Sequence, residues 1–205
     1  MRRIGLAVAL AILLGGGAAR ADALDFTIFK EDDPIGHDIY QIDHAGDQTV
    51  VKVTTQTDVK VLFLEYHYHH DRTEVWKGGQ VQSLVSDTND DGTKHHFDMH
   101  RDGDALVATA DGAAKSIPGA DVPFTLWTDA FLKAPAMLDV TDFAEMKVKV
   151  EDKGADSIKI GANTISAHHY KTSGDLNWEF WYAADGALLK TAFKRRGYPI
   201  SMVRQ

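Results

Sequence analysis

Cysteine is absent from the 205-residue sequence. Without thiols, the chain cannot form disulfides, thiolate metal sites or a cysteine nucleophile. We therefore expect side-chain packing and hydrogen bonds between strands to stabilise the fold. No repeat, linker or low-complexity tract interrupts the sequence, which favours a single domain.

Known catalytic motifs are also missing. The sequence has no Gly-x-Ser-x-Gly elbow, no His-Glu-x-x-His, no phosphate-binding glycine loop and no dinucleotide fingerprint. Acidic residues are abundant, so a catalytic pair of carboxylates stays open. Because nothing singles out a positioned base and its partner, we predict no catalytic residues and favour a binding protein over an enzyme.

The longest apolar run lies at the amino terminus. Met1-Arg2-Arg3 precedes an apolar stretch, residues 4–14, that is too short to span a bilayer, and Ala19-Arg20-Ala21 is typical of a cleavage site. We predict that residues 1–21 are a cleaved signal peptide and that residues 22–205 form the mature domain. The protein is then periplasmic, with no transmembrane segment in the mature chain.

Basic residues are outnumbered by acidic ones. The 22 Lys and Arg face 30 Asp and Glu, which gives a net charge of −8. Removing the predicted signal peptide takes away three arginines and leaves 19 basic residues against 30 acidic ones, a net charge of −11. An acidic surface repels phosphate backbones. We therefore expect a small molecule or a metal ion as partner and no nucleic acid, while the oligomeric state stays open.

Short segments with alternating or β-branched apolar residues recur along the chain, separated by turns rich in Gly and Asp. This spacing predicts an all-β, mainly antiparallel fold, either a barrel or a strongly curved sheet. The predicted strands lie at 24–29, 35–42, 50–57, 59–69, 73–77, 81–86, 94–100, 105–109, 146–150, 157–160, 164–171, 177–182, 188–194 and 200–203.

One segment departs from the strand pattern. Between Phe124 and Val140 the apolar residues approximate a helical stripe. We predict one short helix here that plugs or caps the sheet. Pro135 should kink or end this helix, because proline removes a backbone donor and clashes with the preceding turn.

Several short motifs follow one another in a distinctive order: Ile35-Gly36-His37, Glu74-Val75-Trp76, Thr88-Asn89-Asp90 with Gly92, and Trp181-Tyr182 with Asp185-Gly186. Together they resemble a bacterial family of secreted proteins of unknown function and of similar length. The resemblance covers nearly all of the mature chain and implies an export signal and a mainly antiparallel β fold. It implies no activity and no catalytic residues.

Six of the ten histidines lie within residues 59–101. Side chains alternate faces along a strand. In the predicted strands 59–69 and 94–100, Tyr66, Tyr68, Phe97 and Met99 then lie on the apolar, inward faces. The polar faces carry histidines two residues apart, which can chelate copper or zinc. These candidate metal ligands are His67, His69, His96, Asp98 and His100. A strand between the two sets would separate them by roughly 9 to 10 Å, and a solvated polar face explains the same pattern.

The loop Asp87-x-Asn89-x-Asp91-Gly92 matches the first half of a calcium-binding loop, with Asp98 at its twelfth position. That template requires a glutamate there and a helix on either side. An acidic hairpin turn therefore explains the loop better than a calcium site.

Aromatic residues provide candidates for ligand binding. Glu74 and Trp76 share one strand face, and Trp178, Trp181 and Tyr182 lie together in another strand. Such residues line pockets for apolar or ring-shaped ligands in the mouths of β-barrels, and they also build cores. Our leading hypothesis is a non-catalytic protein that binds a small or apolar ligand in a barrel-like pocket, without a required cofactor. The alternative is a copper- or zinc-binding protein that uses the His-rich strand face.

Overall fold

The computed structural model describes residues 20–61, 64–117, 122–134 and 136–205. Nearly all of the predicted signal peptide, residues 1–19, and the predicted helix breaker Pro135 lie outside the described residues. Among the described residues, no helix is long and apolar enough to cross a membrane.

Antiparallel strands pair into one fourteen-stranded sheet, which confirms the all-β prediction. The strands are β1 (Arg20–Lys30), β2 (Asp33–Ala45), β3 (Gln48–Val61), β4 (Leu64–Lys77), β5 (Gln80–Asp90), β6 (Thr93–Asp102), β7 (Ala105–Ala110), β8 (Ala113–Lys115), β9 (Ala136–Leu138), β10 (Glu145–Ile160), β11 (Asn163–Gly174), β12 (Trp178–Tyr182), β13 (Leu188–Arg195) and β14 (Tyr198–Arg204). Their order in space runs from β8 back to β1 and then from β14 back to β9. The first and last strands are therefore neighbours in the middle of the sheet.

The sheet curves around the segment 122–146, which packs on its concave face and whose short strand β9 forms one edge of the sheet. Leu126 and Phe131 belong to a core cluster with residues of β1–β3 and β11–β14. Val140 and Phe143 pack instead with residues of β4–β6. Because this one segment contacts two groups of strands, β1–β3 with β11–β14 and β4–β6, the sheet is strongly curved. The strand order ends at the edge strands β8 and β9.

The predicted plug is therefore present, but most of it is not helical. Among its described residues, only Ala130–Lys133 form a short 3-10 helix. The adjacent residues Met137 and Leu138 pack into different core clusters, so this part of the segment alternates faces as a strand does. The apolar residues that suggested one helical stripe therefore pack into two different core clusters.

Strand boundaries were predicted wrongly in the β3–β4 hairpin and in β10. The predicted strand 59–69 spans the hairpin between β3 and β4, whose last described pair is Val61 and Leu64, and the predicted strand 73–77 is the continuation of β4. The predicted strands 146–150 and 157–160 are one long strand, β10, with a bulge between Asp152 and Gly154. Local apolar content did not reveal where the chain reverses.

Gly36, in the first sequence motif, has a steric role. A Cβ atom placed on it would lie 1.9 Å from the carbonyl oxygen of Gln56 on the neighbouring strand β3. Only glycine allows this close approach of two backbones.

Candidate functional site

A cavity of about 600 Å³ opens on the concave face, between β1–β4, β13, β14 and the segment 122–146. Its walls are largely apolar and aromatic, and include Ile28, Phe124, Leu176, Trp178, Phe193 and Met202. This volume lies within the range of roughly 300 to 1,000 Å³ that small-molecule pockets occupy. The cavity thus has the size of a small-molecule pocket.

Strand β4 forms one wall through its side-chain alternation. Tyr66, Tyr68, His70 and Arg72 all point into the cavity, while the residues between them are exposed. Tyr66 and Tyr68 lie near the hairpin end of the strand, and Arg72 lies deeper. Along β4 the cavity therefore passes from an aromatic rim to a polar floor.

The floor is built around a buried ion pair. The Arg72 and Glu74 side chains are 5% and 0% exposed, and Arg72 Nε donates to Glu74 Oε1 at 2.7 Å. The other carboxylate oxygen accepts from the indole nitrogens of Trp76, at 2.7 Å, and Trp127, at 3.0 Å. Three donors therefore compensate the buried carboxylate, as a buried charge requires.

His70 beside this pair is held neutral. Its Nε2 lies 3.3 Å from Arg72 Nη1, and because a guanidinium can only donate, this nitrogen is the acceptor. The proton then sits on Nδ1, which donates to Thr88 Oγ1 at 2.8 Å. Burial, helped by the charge of Arg72, lowers the pKa of His70 to about 3.

Asp38 is the second buried carboxyl group on the floor. It accepts from Thr55 Oγ1 at 2.6 Å. Burial raises the pKa of Asp38, against the lowering effects of Thr55 and of the Arg72 charge. Burial also raises the pKa of the neighbouring Tyr40 phenol. The floor therefore holds one permanent cation with two carboxyl groups, and its polar side chains bond one another.

The rim of the cavity carries positively charged side chains. Lys30, Arg195 and Arg196 line the cavity near its hairpin end. Arg195 lies 5.7 Å from the ring centroid of Tyr68, and Arg196 lies 4.9 Å from that of Tyr66. In the part of the chain that the structure describes, neither arginine has an ion-pair partner.

The predicted ligand-binding residues divide among four places. Trp178 lines the cavity, and Glu74 and Trp76 lie behind its floor. Tyr182 is buried beside a separate recess. Trp181 lies outside the cavity, where it stacks on His169 at a centroid distance of 4.5 Å and donates to Asp156 at 2.8 Å.

The predicted metal ligands lie away from the cavity, and each histidine has a carboxylate neighbour. The shortest nitrogen–oxygen distances are 2.6 Å for His67–Asp58, 2.8 Å for His69–Asp71, 2.8 Å for His96–Asp87 and 3.5 Å for His100–Asp98. Strand β5 lies between the two sets, as the sequence indicated. Within the described ranges, no group of three or more His, Asp or Glu residues could hold a metal ion. Copper or zinc binding stays a prediction.

The predicted acidic turn forms the hairpin between β5 and β6. Asn89 Oδ1 accepts from the backbone nitrogen of Gly92 at 2.8 Å, and Asp98 remains within β6. Calcium binding stays the less favoured interpretation of this turn.

Several cavity residues were not predicted from the sequence, among them Asp38, His70, Arg72, Arg195 and Arg196. Tyr66 and Tyr68 were predicted on the inward face of their strand. Extending that alternation by four residues would have included His70 and Arg72. The rim arginines carry no such local signal, because the pairing of β13 with β14 and of β14 with β1 brings them to the cavity.

A family model described as Domain of unknown function (DUF6134) matches residues 26–205. The chain belongs to this family. Membership of a family of unknown function is thereby confirmed over nearly all of the predicted mature domain. Among curated proteins, no match to this DUF6134 chain was found.

A solved structure supports the architecture of this DUF6134 domain. The crystal structure of a beta-barrel-like protein of domain of unknown function DUF1849 from Brucella abortus is similar, with a TM-score of 0.62 and 10% sequence identity. The similarity covers 91% of this chain and 95% of that chain. At this level of identity, the likeness shows the fold alone.

Proposed function

We propose that this protein binds a small, largely apolar ligand in the concave cavity and performs no chemistry on it. The single observation that carries the proposal is the cavity of about 600 Å³ with predominantly apolar walls. Its signal-like amino terminus supports a periplasmic location for this binding.

Packing gives the physical reason. Protein interiors are close-packed and leave few voids larger than a water molecule. Side chains that line a void lose the dispersion contacts that a filled core would provide. The polar groups of the floor satisfy one another, so the apolar walls above them gain most from contact with an apolar molecule.

The floor supports binding more than catalysis. His70 is the residue that could act as a base, but Arg72 donates to its Nε2, and Nδ1 donates to Thr88. With both ring nitrogens engaged and its pKa lowered to about 3, the ring is a poor proton acceptor near neutral pH.

Fluorescence of the neutral apolar probe N-phenylnaphthylamine tests the proposal. We expect the purified protein to enhance its emission saturably. The substitution Ile200→Trp fills space beside the cavity and should weaken the probe's binding. Ile39→Trp, at a residue 37% exposed on strand β2, is the matched control and should leave binding unchanged. Absence of saturable binding to the unsubstituted protein would overturn the proposal, as would equal binding by both variants.

A further inference from the structure

Two consecutive arginines, Arg195 and Arg196, both line the cavity rim. Each guanidinium lies over the ring of a tyrosine of β4. Such a contact uses the ring face and leaves N–H donors for another acceptor. The sequence carries 30 acidic residues against 22 basic ones, yet no carboxylate of the described residues pairs with either arginine.

The hairpin between β13 and β14 brings both arginines to the rim. Arg195 pairs with Tyr198, so Arg196 and Gly197 form a two-residue loop, with φ angles of 50° and 88°. Such loops favour Asn, Asp or Gly at the first position, because other residues are strained at positive φ. Two other hairpins of the chain use Asp91 and Asp111 there, each followed by glycine. Arginine at position 196 therefore makes the turn less stable than asparagine or aspartate would, and it adds a second guanidinium to the rim.

Carboxylates lie in the same region without forming an ion pair with either arginine among the described residues. Asp139 and Asp175 line the cavity and accept from the backbone nitrogens of Thr141 and Lys147, at 2.7 and 2.8 Å. Asp90 and Asp91 line a separate recess together with Arg196. The guanidinium groups of Arg195 and Arg196 are thus not held by a carboxylate and can reach a ligand.

The floor is unsuited to an anion. Its cation, Arg72, already pairs with Glu74, and Asp38 adds a second carboxyl group. Between floor and rim, the six-residue step from Tyr66 to Arg72 spans about 20 Å at the usual rise of a strand. The cavity is thus long, and the two guanidinium groups without an ion pair lie at its rim.

We propose that the ligand is a single-chain amphiphile with an anionic head group, held at the rim by Arg195 and Arg196 while its apolar chain extends toward Arg72. This inference rests on the proposed function, because it presupposes that the cavity binds an apolar molecule. The chemistry is recognition of a carboxylate or phosphate by two guanidinium groups.

Competition against bound N-phenylnaphthylamine tests the head-group preference. The competitors share one alkyl chain and differ in the head: palmitate is anionic, hexadecanol neutral and hexadecyltrimethylammonium cationic. We expect palmitate to bind about tenfold or more tightly than hexadecanol, since hydrogen bonds to charged groups are the stronger ones. Raising the salt concentration should weaken palmitate alone.

Substitutions at the rim test whether the two arginines cause the preference for palmitate over hexadecanol. The pair Arg195→Gln and Arg196→Asn should remove the advantage of palmitate and leave hexadecanol unchanged. Lys194→Gln, an exposed lysine on the same strand, is the matched control and should keep the preference. Asparagine suits the turn at position 196, so loss of folding is not expected to obscure the result.

The outcomes separate the two proposals. If the probe does not bind, the proposed function fails. If the probe binds and no alkyl competitor displaces it, only the single-chain amphiphile is wrong. If palmitate and hexadecanol bind equally, or if the arginine variants keep the preference, only the anionic head group is wrong. Tighter binding of hexadecyltrimethylammonium would likewise contradict the role given to the arginines.

Discussion

Arg72 and Glu74 form the most buried ion pair among the described residues. Removing one partner of such a pair leaves an uncompensated charge in a low-dielectric interior. We predict that Arg72→Met lowers the free energy of unfolding by about 3 to 5 kcal/mol, as measured by urea denaturation.

An exposed ion pair offers the matched control for Arg72→Met. Lys60 Nζ lies 2.6 Å from Glu65 Oε1, with both side chains more than half exposed. Since solvent screens such pairs, Lys60→Met should cost less than about 1 kcal/mol. Similar losses for the two variants would show that Arg72 is not electrostatically buried in solution.

His70 should make stability depend on pH. The unfolded chain takes up a proton near the ordinary histidine pKa of 6.5, whereas the folded protein does so only near 3. The folded state is therefore favoured above pH 6.5, and this advantage is lost as the pH falls toward about 3. Compared with His70→Gln, the unsubstituted protein should lose about 3 kcal/mol more between pH 7 and pH 4.

Urea denaturation at a series of pH values measures this difference. Asp38 is present in both proteins, so its raised pKa cancels in the comparison to first order. Parallel stability profiles for the two proteins would contradict a neutral, buried His70.

At the scale of elements, the β13–β14 hairpin should become more stable when Arg196, the proposed ligand-binding residue in its turn, is replaced. Arg196 has a φ of 50°, where asparagine is better tolerated. We predict that Arg196→Asn raises the free energy of unfolding by about 0.5 to 1 kcal/mol while weakening palmitate binding. Thermal denaturation measures the first effect. A destabilised variant would mean that the contact between Arg196 and Tyr66 outweighs the turn.

The His-rich strands β4 and β6 bear on the alternative function. Their histidines lie next to separate carboxylates, so we expect zinc or copper to bind no more tightly than about 10 μM, roughly −7 kcal/mol. Calorimetric titration measures this affinity. Tighter binding that disappears when His67, His69, His96 and His100 are changed to Ala would instead support the metal hypothesis.

At the scale of the whole molecule, alternation along single strands was predictable and the pairing of distant strands was not. Parity alone put Phe97 and Met99 in the core, where they are 5% and 0% exposed, and put His67 on the opposite face from Tyr66. The cavity could not be derived in this way. It depends on β14 lying between β1 and β13, which sets Arg195 beside Tyr68 although the two are far apart in sequence.

The segment 122–146 also shows that a local sequence pattern does not determine how a segment packs. Its apolar residues were recognisable from the sequence, but a helix and an extended plug both bury such a run. The curvature of the sheet decides between them, because it offers apolar walls on two sides of the segment. That curvature also leaves the cavity beside the segment.

A crystal structure of the protein with palmitate tests the central claim most directly. We predict electron density for the alkyl chain between Phe124, Trp178 and Met202, with the carboxylate within hydrogen-bonding distance of Arg195 or Arg196. A cavity closed by repacked side chains, or a ligand bound only elsewhere on the molecule, would contradict this account.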